Sequence, residues 1–190
     1  MSVIIAPPEK KTHIIEFKDE EKTEVEVKPQ KAKRVKKAPK IKIMFLCTGN
    51  TCRSAMAESI FRYEIKKRKL TSKFEVSSSG YTAVINEGIN PSARAALAFL
   101  DIPWHKHKAK RFDEKTGSKQ DLIVCMSREH KQGTRLKNAY TVGEITAKGD
   151  VLDPYGYPIE SYIKVAKYLW ESVDAVLDAA EYLREKKNKD

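Results

Sequence analysis

A cysteine and an arginine bracket five residues in the segment Cys47-Thr48-Gly49-Asn50-Thr51-Cys52-Arg53-Ser54. An apolar run, Ile41-Lys42-Ile43-Met44-Phe45-Leu46, precedes it, and a helical pattern, Ala55-Met56-Ala57-Glu58-Ser59-Ile60-Phe61, follows it. Residues in this order suit one chemistry. A loop at a strand-to-helix turn directs backbone N–H groups and a positive helix end at an anion. The same setting favours a thiolate, the form of cysteine that attacks. Arg53 offers a planar fork that matches two oxygens of a phosphate, which lysine cannot. Gly49 and Asn50 tolerate the unusual backbone angles that a loop curled around an anion demands. Ser54 can donate its hydroxyl to the Cys47 sulfur and steady it as a leaving group. The plain alternative is a structural cysteine closing a buried strand, and the cysteine–arginine spacing alone is weak evidence against it.

Transfer of a phosphoryl group to sulfur expels an alkoxide, phenoxide or amide unless an acid protonates it. Such acids typically contribute about 10²–10⁴ in rate. The candidate is Asp153, in Val151-Leu152-Asp153-Pro154-Tyr155-Gly156. Alone, it reads as an Asp-Pro turn or a helix cap.

The elements that must position these groups follow from pattern. Strands are expected at 41–47, 74–78, 121–126 and 139–142. Helices are expected from about 54 to 69, at 91–100 behind an Asn90-Pro91 start, at 127–132, and from 159 to 185. The last carries Ile163, Ala166, Leu169, Val173, Val176, Leu177 and Ala180 at helical spacing. Strands alternating with helices predict an α/β, three-layer fold with a central four-stranded parallel sheet and helices on both faces. Ligands in such folds bind beyond the carboxyl ends of the strands, where the Cys47 loop falls.

The 190 residues suffice for one domain with its own core, expected at 41–190. Residues 1–40 differ in texture and form an N-terminal extension. His13–Phe17 and Thr23–Val27 alternate like a small hairpin, and a lysine-rich linker follows. The formal charge is +11, and Lys28–Lys42 holds eight basic residues and no acidic one. Such a run suits an acidic partner or a solvated tail. It lacks interleaved aromatics, so nucleic acid is not expected as a partner. Three cysteines, no secretory signal and no apolar stretch of spanning length predict a cytoplasmic protein with reduced thiols and no membrane contact.

Together the two motifs resemble the low-molecular-weight protein tyrosine phosphatase family. The similarity extends to Ala57-Glu58, Ser78-Ser79-Gly80, Asp121–Met126 and His130-Lys131-Gln132, covering about residues 41 to 185. It implies hydrolysis of phosphorylated protein side chains through a phosphocysteine, with neither metal nor cofactor. Cys47 would be the nucleophile, Arg53 the phosphate-binding cation and Asp153 the general acid and then base. Thr48, Gly49, Asn50, Thr51, Cys52 and Ser54 would surround the phosphate, and Tyr155 would wall the cleft. Asn50, Ser54 and Ser79 would brace the loop. His107 matches a family histidine in that brace, or is a surface histidine in a basic segment. Cys52 can pair with Cys47 under oxidation, or simply fill space in the loop.

Thr51 sets the substrate question. Tyrosine-directed members commonly carry isoleucine there, whereas members resembling bacterial protein arginine phosphatases carry threonine within the same eight-residue string. A threonine hydroxyl can accept from a guanidino group or position water, and an isoleucine methyl packs on an aromatic ring. The expectation is phosphoarginine activity, with or without phosphotyrosine activity beside it. The alternative is a purely phosphotyrosine-specific enzyme. Thioredoxin-coupled arsenate reductases share a similar loop but need two further cysteines close together after the third strand, where this chain has only Cys125.

Overall fold

The computed structural model describes residues 38–189. The expected hairpin, the linker and most of the basic run lie outside them. β1 (Ile41–Cys47) is buried everywhere except at Lys42, because parallel strands flank it on both sides. α1 (Arg53–Lys67) starts at the arginine of the Cys47 segment. β2 (Phe74–Gly80) then runs parallel to β1, which places Gly80 opposite Cys47. α2 (Pro91–Phe99) opens as its sequence indicates: the Asn90 side chain accepts from the N–H groups of Ser92 and Ala93. A short α3 (Glu114–Gly117) leads to the fully buried β3 (Leu122–Cys125). α4 (Arg128–Thr134), β4 (Ala139–Thr141), α5 (Val142–Thr146), α6 (Ile159–Glu171) and α7 (Val173–Lys187) complete the order.

The four strands form one parallel sheet in the order β2-β1-β3-β4. Alternating side chains divide the interior. Ile43, Phe45, Leu122 and Val124 join the large core with Met56, Ile60 and Phe61 of α1 and apolar residues of α6 and α7. Leu46, Ile123 and Cys125 face the other way, into a small core closed by Tyr81, Phe112 and Leu136. The fold class is therefore the one expected, with all four strands found.

Besides the short α3, for which no helix was expected, two details differ from expectation. The single helix predicted over 159–185 is two, broken at the buried Ser172, whose hydroxyl donates to the carbonyl of Leu169 at 2.7 Å. A local hydroxyl bond of this kind competes with the helical ladder. The break turns the apolar stripe: α6 packs on α1 and α2, whereas α7 packs on α5 and the sheet. The apolar spacing runs on through it, so periodicity does not reveal it. The second difference is α5, where a strand end was expected. Its start is a capping box between Thr141 and Glu144.

Candidate active site

β1 ends at Cys47 and α1 begins at Arg53, so the chain between them turns over the carboxyl end of the sheet. The sharp turn falls on the fully buried Asn50, at φ 57°. Of the two residues expected to tolerate unusual backbone angles, Asn50 takes a left-handed one and Gly49 does not. The Cys47 sulfur receives the N–H of Asn50 at 3.3 Å and lies 2.9 Å from the Ser54 hydroxyl. Asn50 Nδ2 donates to Ser54 Oγ at 2.8 Å. That leaves the single Ser54 hydrogen for the sulfur, in preference to the Ser79 carbonyl at 3.4 Å. Two donors thus converge on Cys47. Among the described residues, the backbone N–H groups of Thr51, Cys52 and Arg53 donate to no protein group. They are available to an anion at the helix start.

Asn50 is the loop's keystone because each of its polar groups is held. Nδ2 also donates to Ser78 Oγ at 2.8 Å, Oδ1 accepts from the Lys110 N–H at 2.9 Å, and its carbonyl accepts from His107 Nε2 at 2.6 Å. His107 is buried and belongs to the brace, which decides between its two readings. Ser79 lies in the brace through its carbonyl, 3.4 Å from the Ser54 hydroxyl, and not through its side chain. Successive strand residues face opposite sides, so Ser78 meets the loop and Ser79 contributes only its carbonyl. Ser78 in turn donates to Glu58 Oε2 at 2.6 Å. Burial works against the Glu58 carboxylate, but donors from His105 and Ser78, with Arg62 beyond, hold its pKa at about 2. A glutamate inside the apolar run of α1 was the visible signal of this hub.

Gly80 is equally structural. A Cβ there would lie 2.5 Å from the Thr48 carbonyl oxygen and 2.7 Å from the Asn50 nitrogen. The loop backbone passes directly over β2 only because this residue has no side chain.

The tertiary fold brings the two distant motifs together. Arg53 Nη2 contacts Asp153 Oδ2 at 2.5 Å, and Nη1 donates to the Val151 carbonyl at 3.3 Å. Arg53 is buried and Asp153 half exposed. The Val151 N–H donates to the Met126 carbonyl, which pins the Asp153 loop to the end of β3. Tyr155 is exposed beside Tyr157, and both line a groove of about 690 Å³ with Leu152, Asp153 and Lys164. Thr51 is partly exposed in the loop, its hydroxyl 3.8 Å from the Cys52 sulfur. Cys52 is buried, and burial pushes its thiol pKa up. All three cysteines are free. His130, which sequence left without a role, sits within bonding distance of Thr48 at 3.0 Å.

Glu58, His105 and His107 bring potential metal-ligand atoms within 4.8 Å of one another. The arrangement fits a hydrogen-bonded brace better than a cation site. Both Glu58 oxygens already accept from Arg62 or Ser78, and the Arg62 guanidinium at 2.7 Å would face any metal ion.

Fold and site thus define an α/β protein whose strand-to-helix loop holds a cysteine where an anion is received. The sequence profile of the low molecular weight phosphotyrosine protein phosphatases matches residues 42–189. A protein-arginine-phosphatase of Bacillus subtilis is 35% identical over 63% of this chain and 83% of its own length. The low molecular weight protein-tyrosine-phosphatase PtpB of Staphylococcus haemolyticus is 34% identical over 64% and 87%. A solved YwlE arginine phosphatase, a mutant with a phosphorylated active-site serine, superposes with a TM-score of 0.66 at 32% identity, covering 79% of this chain and 100% of that one. The chain belongs to the low molecular weight phosphotyrosine protein phosphatase family. It is a cysteine-dependent protein phosphatase.

Proposed function

We propose that the enzyme removes phosphate from phosphoarginine in proteins, with phosphotyrosine as a second substrate, and that Cys47, Arg53 and Asp153 carry the reaction. The observation that supports it most is the contact of Arg53 with Asp153 beside a sulfur that two donors already address. The substrate phosphate takes the Arg53 fork, which offers it a bidentate charged partner and releases Asp153, and the freed carboxylate takes up a proton from solvent. Cys47 attacks phosphorus, and Asp153 protonates the departing guanidino nitrogen or phenol oxygen. Charge on the equatorial oxygens falls on Arg53 and on the N–H groups of Thr51, Cys52 and Arg53. Asp153 then takes a proton from water as it attacks the phosphocysteine. The expelled sulfur returns to the Ser54 hydroxyl and the Asn50 N–H.

Thr51 and the 35% identical arginine phosphatase support the phosphoarginine preference. The experiment is a comparison of kcat/KM on phosphoarginyl and phosphotyrosyl proteins, with Cys47→Ser as the blank. Thr51→Ile is expected to shift the ratio about tenfold or more towards phosphotyrosine. An unchanged ratio sinks the preference while leaving the phosphatase intact. An arsenate-reductase relay gains nothing from Cys125, which is fully buried with its thiol pushed up to about 12.

The same reading places the catalytic domain at 41–190 and the protein in the cytoplasm, in keeping with three free cysteines. No helix of the described residues is long and apolar enough to cross a membrane. The basic run Lys28–Lys42 would engage an acidic partner.

A further inference from the structure

Arg53 must present its fork to phosphate, and its environment contains a second, unassigned constraint. Beyond Asp153, Nη2 points to the Thr48 hydroxyl oxygen at 3.4 Å. That oxygen lies 3.0 Å from His130 Nε2, and His130 Nδ1 lies 2.8 Å from the Ser127 hydroxyl. A guanidinium only donates, so Thr48 accepts from Arg53. With the ring proton on Nδ1, Thr48 donates its hydrogen to Nε2 and Nδ1 donates to Ser127; with it on Nε2, Thr48 accepts from both neighbours and Ser127 donates to Nδ1, and either tautomer links the three side chains. Burial, and next the Arg53 cation, hold the His130 pKa below its usual value, which favours the neutral ring.

The histidine itself is clamped. The Tyr81 hydroxyl donates to the His130 carbonyl at 2.7 Å, and the two rings stack with centroids 6.1 Å apart. The Tyr81 N–H donates to the Cys47 carbonyl at 3.1 Å, so one residue fixes both the loop and α4. Gly133 makes the fit possible, since a Cβ there would lie 2.9 Å from the tyrosine ring.

We propose that Ser127, His130 and Thr48 form a hydrogen-bond relay that sets the orientation of the Arg53 guanidinium, making His130 a positioning residue for phosphate capture. This rests on the reading of Arg53 as the phosphate-binding cation. The orientation of a fork matters because only an aligned fork makes two parallel bonds to a phosphate. When Asp153 leaves Arg53, the Thr48 oxygen remains to hold Nη2 in place.

The test measures competitive inhibition by inorganic phosphate together with kcat and KM on a phosphorylated substrate, using the full chain. His130→Leu and Thr48→Val are each expected to raise the phosphate Ki about tenfold, the loss of one charge-assisted bond. KM should rise in step, with kcat less affected. The double variant should lose little more than either single one, because both cut the same chain. Thr48→Ser and His130→Gln keep a hydroxyl and an acceptor and should recover most of the loss. An unchanged Ki in Thr48→Val, or fully multiplicative losses in the double variant, overturns the relay. If His130→Leu does not fold, Thr48→Val against Thr48→Ser decides alone, since neither changes a residue of α4. Unchanged turnover in Cys47→Ser would instead overturn the proposed mechanism itself, so the two failures are distinguishable.

Discussion

Asp153 and Arg53 form an ion pair. On the proposed mechanism it must open for catalysis, because the carboxylate occupies the arginine that the substrate's phosphate would take. Removing its charge therefore has two opposite effects. Asp153→Asn should lower kcat by about 10²–10⁴, because the leaving group loses its acid. It should also leave the Ki for inorganic phosphate unchanged or lower, because a competing anion is gone. Steady-state kinetics with phosphate as inhibitor reads both. A variant with normal kcat removes Asp153 from the mechanism. At this scale the sequence was informative: Cys47, Arg53, Ser54 and Asp153 could each be named from residue type and neighbours. It was less so for the serines. Ser78 and Ser79 are chemically identical, and only the pleat of β2 chooses between them.

Among the elements, the loop between β1 and α1 depends on its neighbour strand. Gly80 ends β2 under the loop, and its missing side chain lets two backbones approach. Gly80→Ala should displace the loop, because backbone atoms of Thr48 and Asn50 cannot swing aside as a side-chain tip can. We expect destabilisation of about 1–3 kcal/mol by denaturant unfolding, and a fall in kcat/KM of at least tenfold. A variant with wild-type stability and kinetics would show that the close approach is not needed. Most elements were legible, because a buried parallel strand reads as a continuous apolar run and helices carry caps. The break at Ser172 was not, since both halves keep the same apolar spacing and neither proline nor glycine marks the joint. The capping box of Thr141 and Glu144 was present in the sequence and identifies α5 once the strand before it is seen to end at Thr141.

For the whole molecule, the loop's brace couples activity to stability. Glu58 holds a folded pKa of about 2 against an ordinary 4.5. A depressed folded value means that the carboxylate contributes fully above pH 4.5 and loses its contribution as pH falls towards 2. The wild-type melting temperature should therefore drop between pH 4.5 and 2. Glu58→Gln should be less stable at pH 7 and decline more gently over that interval. Parallel melting curves from pH 7 to 2.5 check this, and equal slopes for the two proteins would reject it. The basic extension carries a separate expectation. Deletion of residues 1–38 should leave kcat on a small substrate within about twofold. It should also abolish any salt-sensitive binding to acidic polymers. A large loss of kcat would mean that the extension belongs to the catalytic unit.

The sequence by itself determined the chemistry, because a thiol, a guanidinium and a carboxylate are set by residue type and the Cys47 loop's setting by its flanking pattern. It also determined the parallel α/β fold through period and burial. The tertiary structure alone decided which groups meet: Asp153 with Arg53 across one hundred positions, Ser78 rather than Ser79 beneath Asn50, His107 and Glu58 in the brace, and His130 on Thr48. Hydrogen bonds act over about 3 Å and require direction. Such contacts exist only after packing has placed distant elements, and no local pattern encodes them.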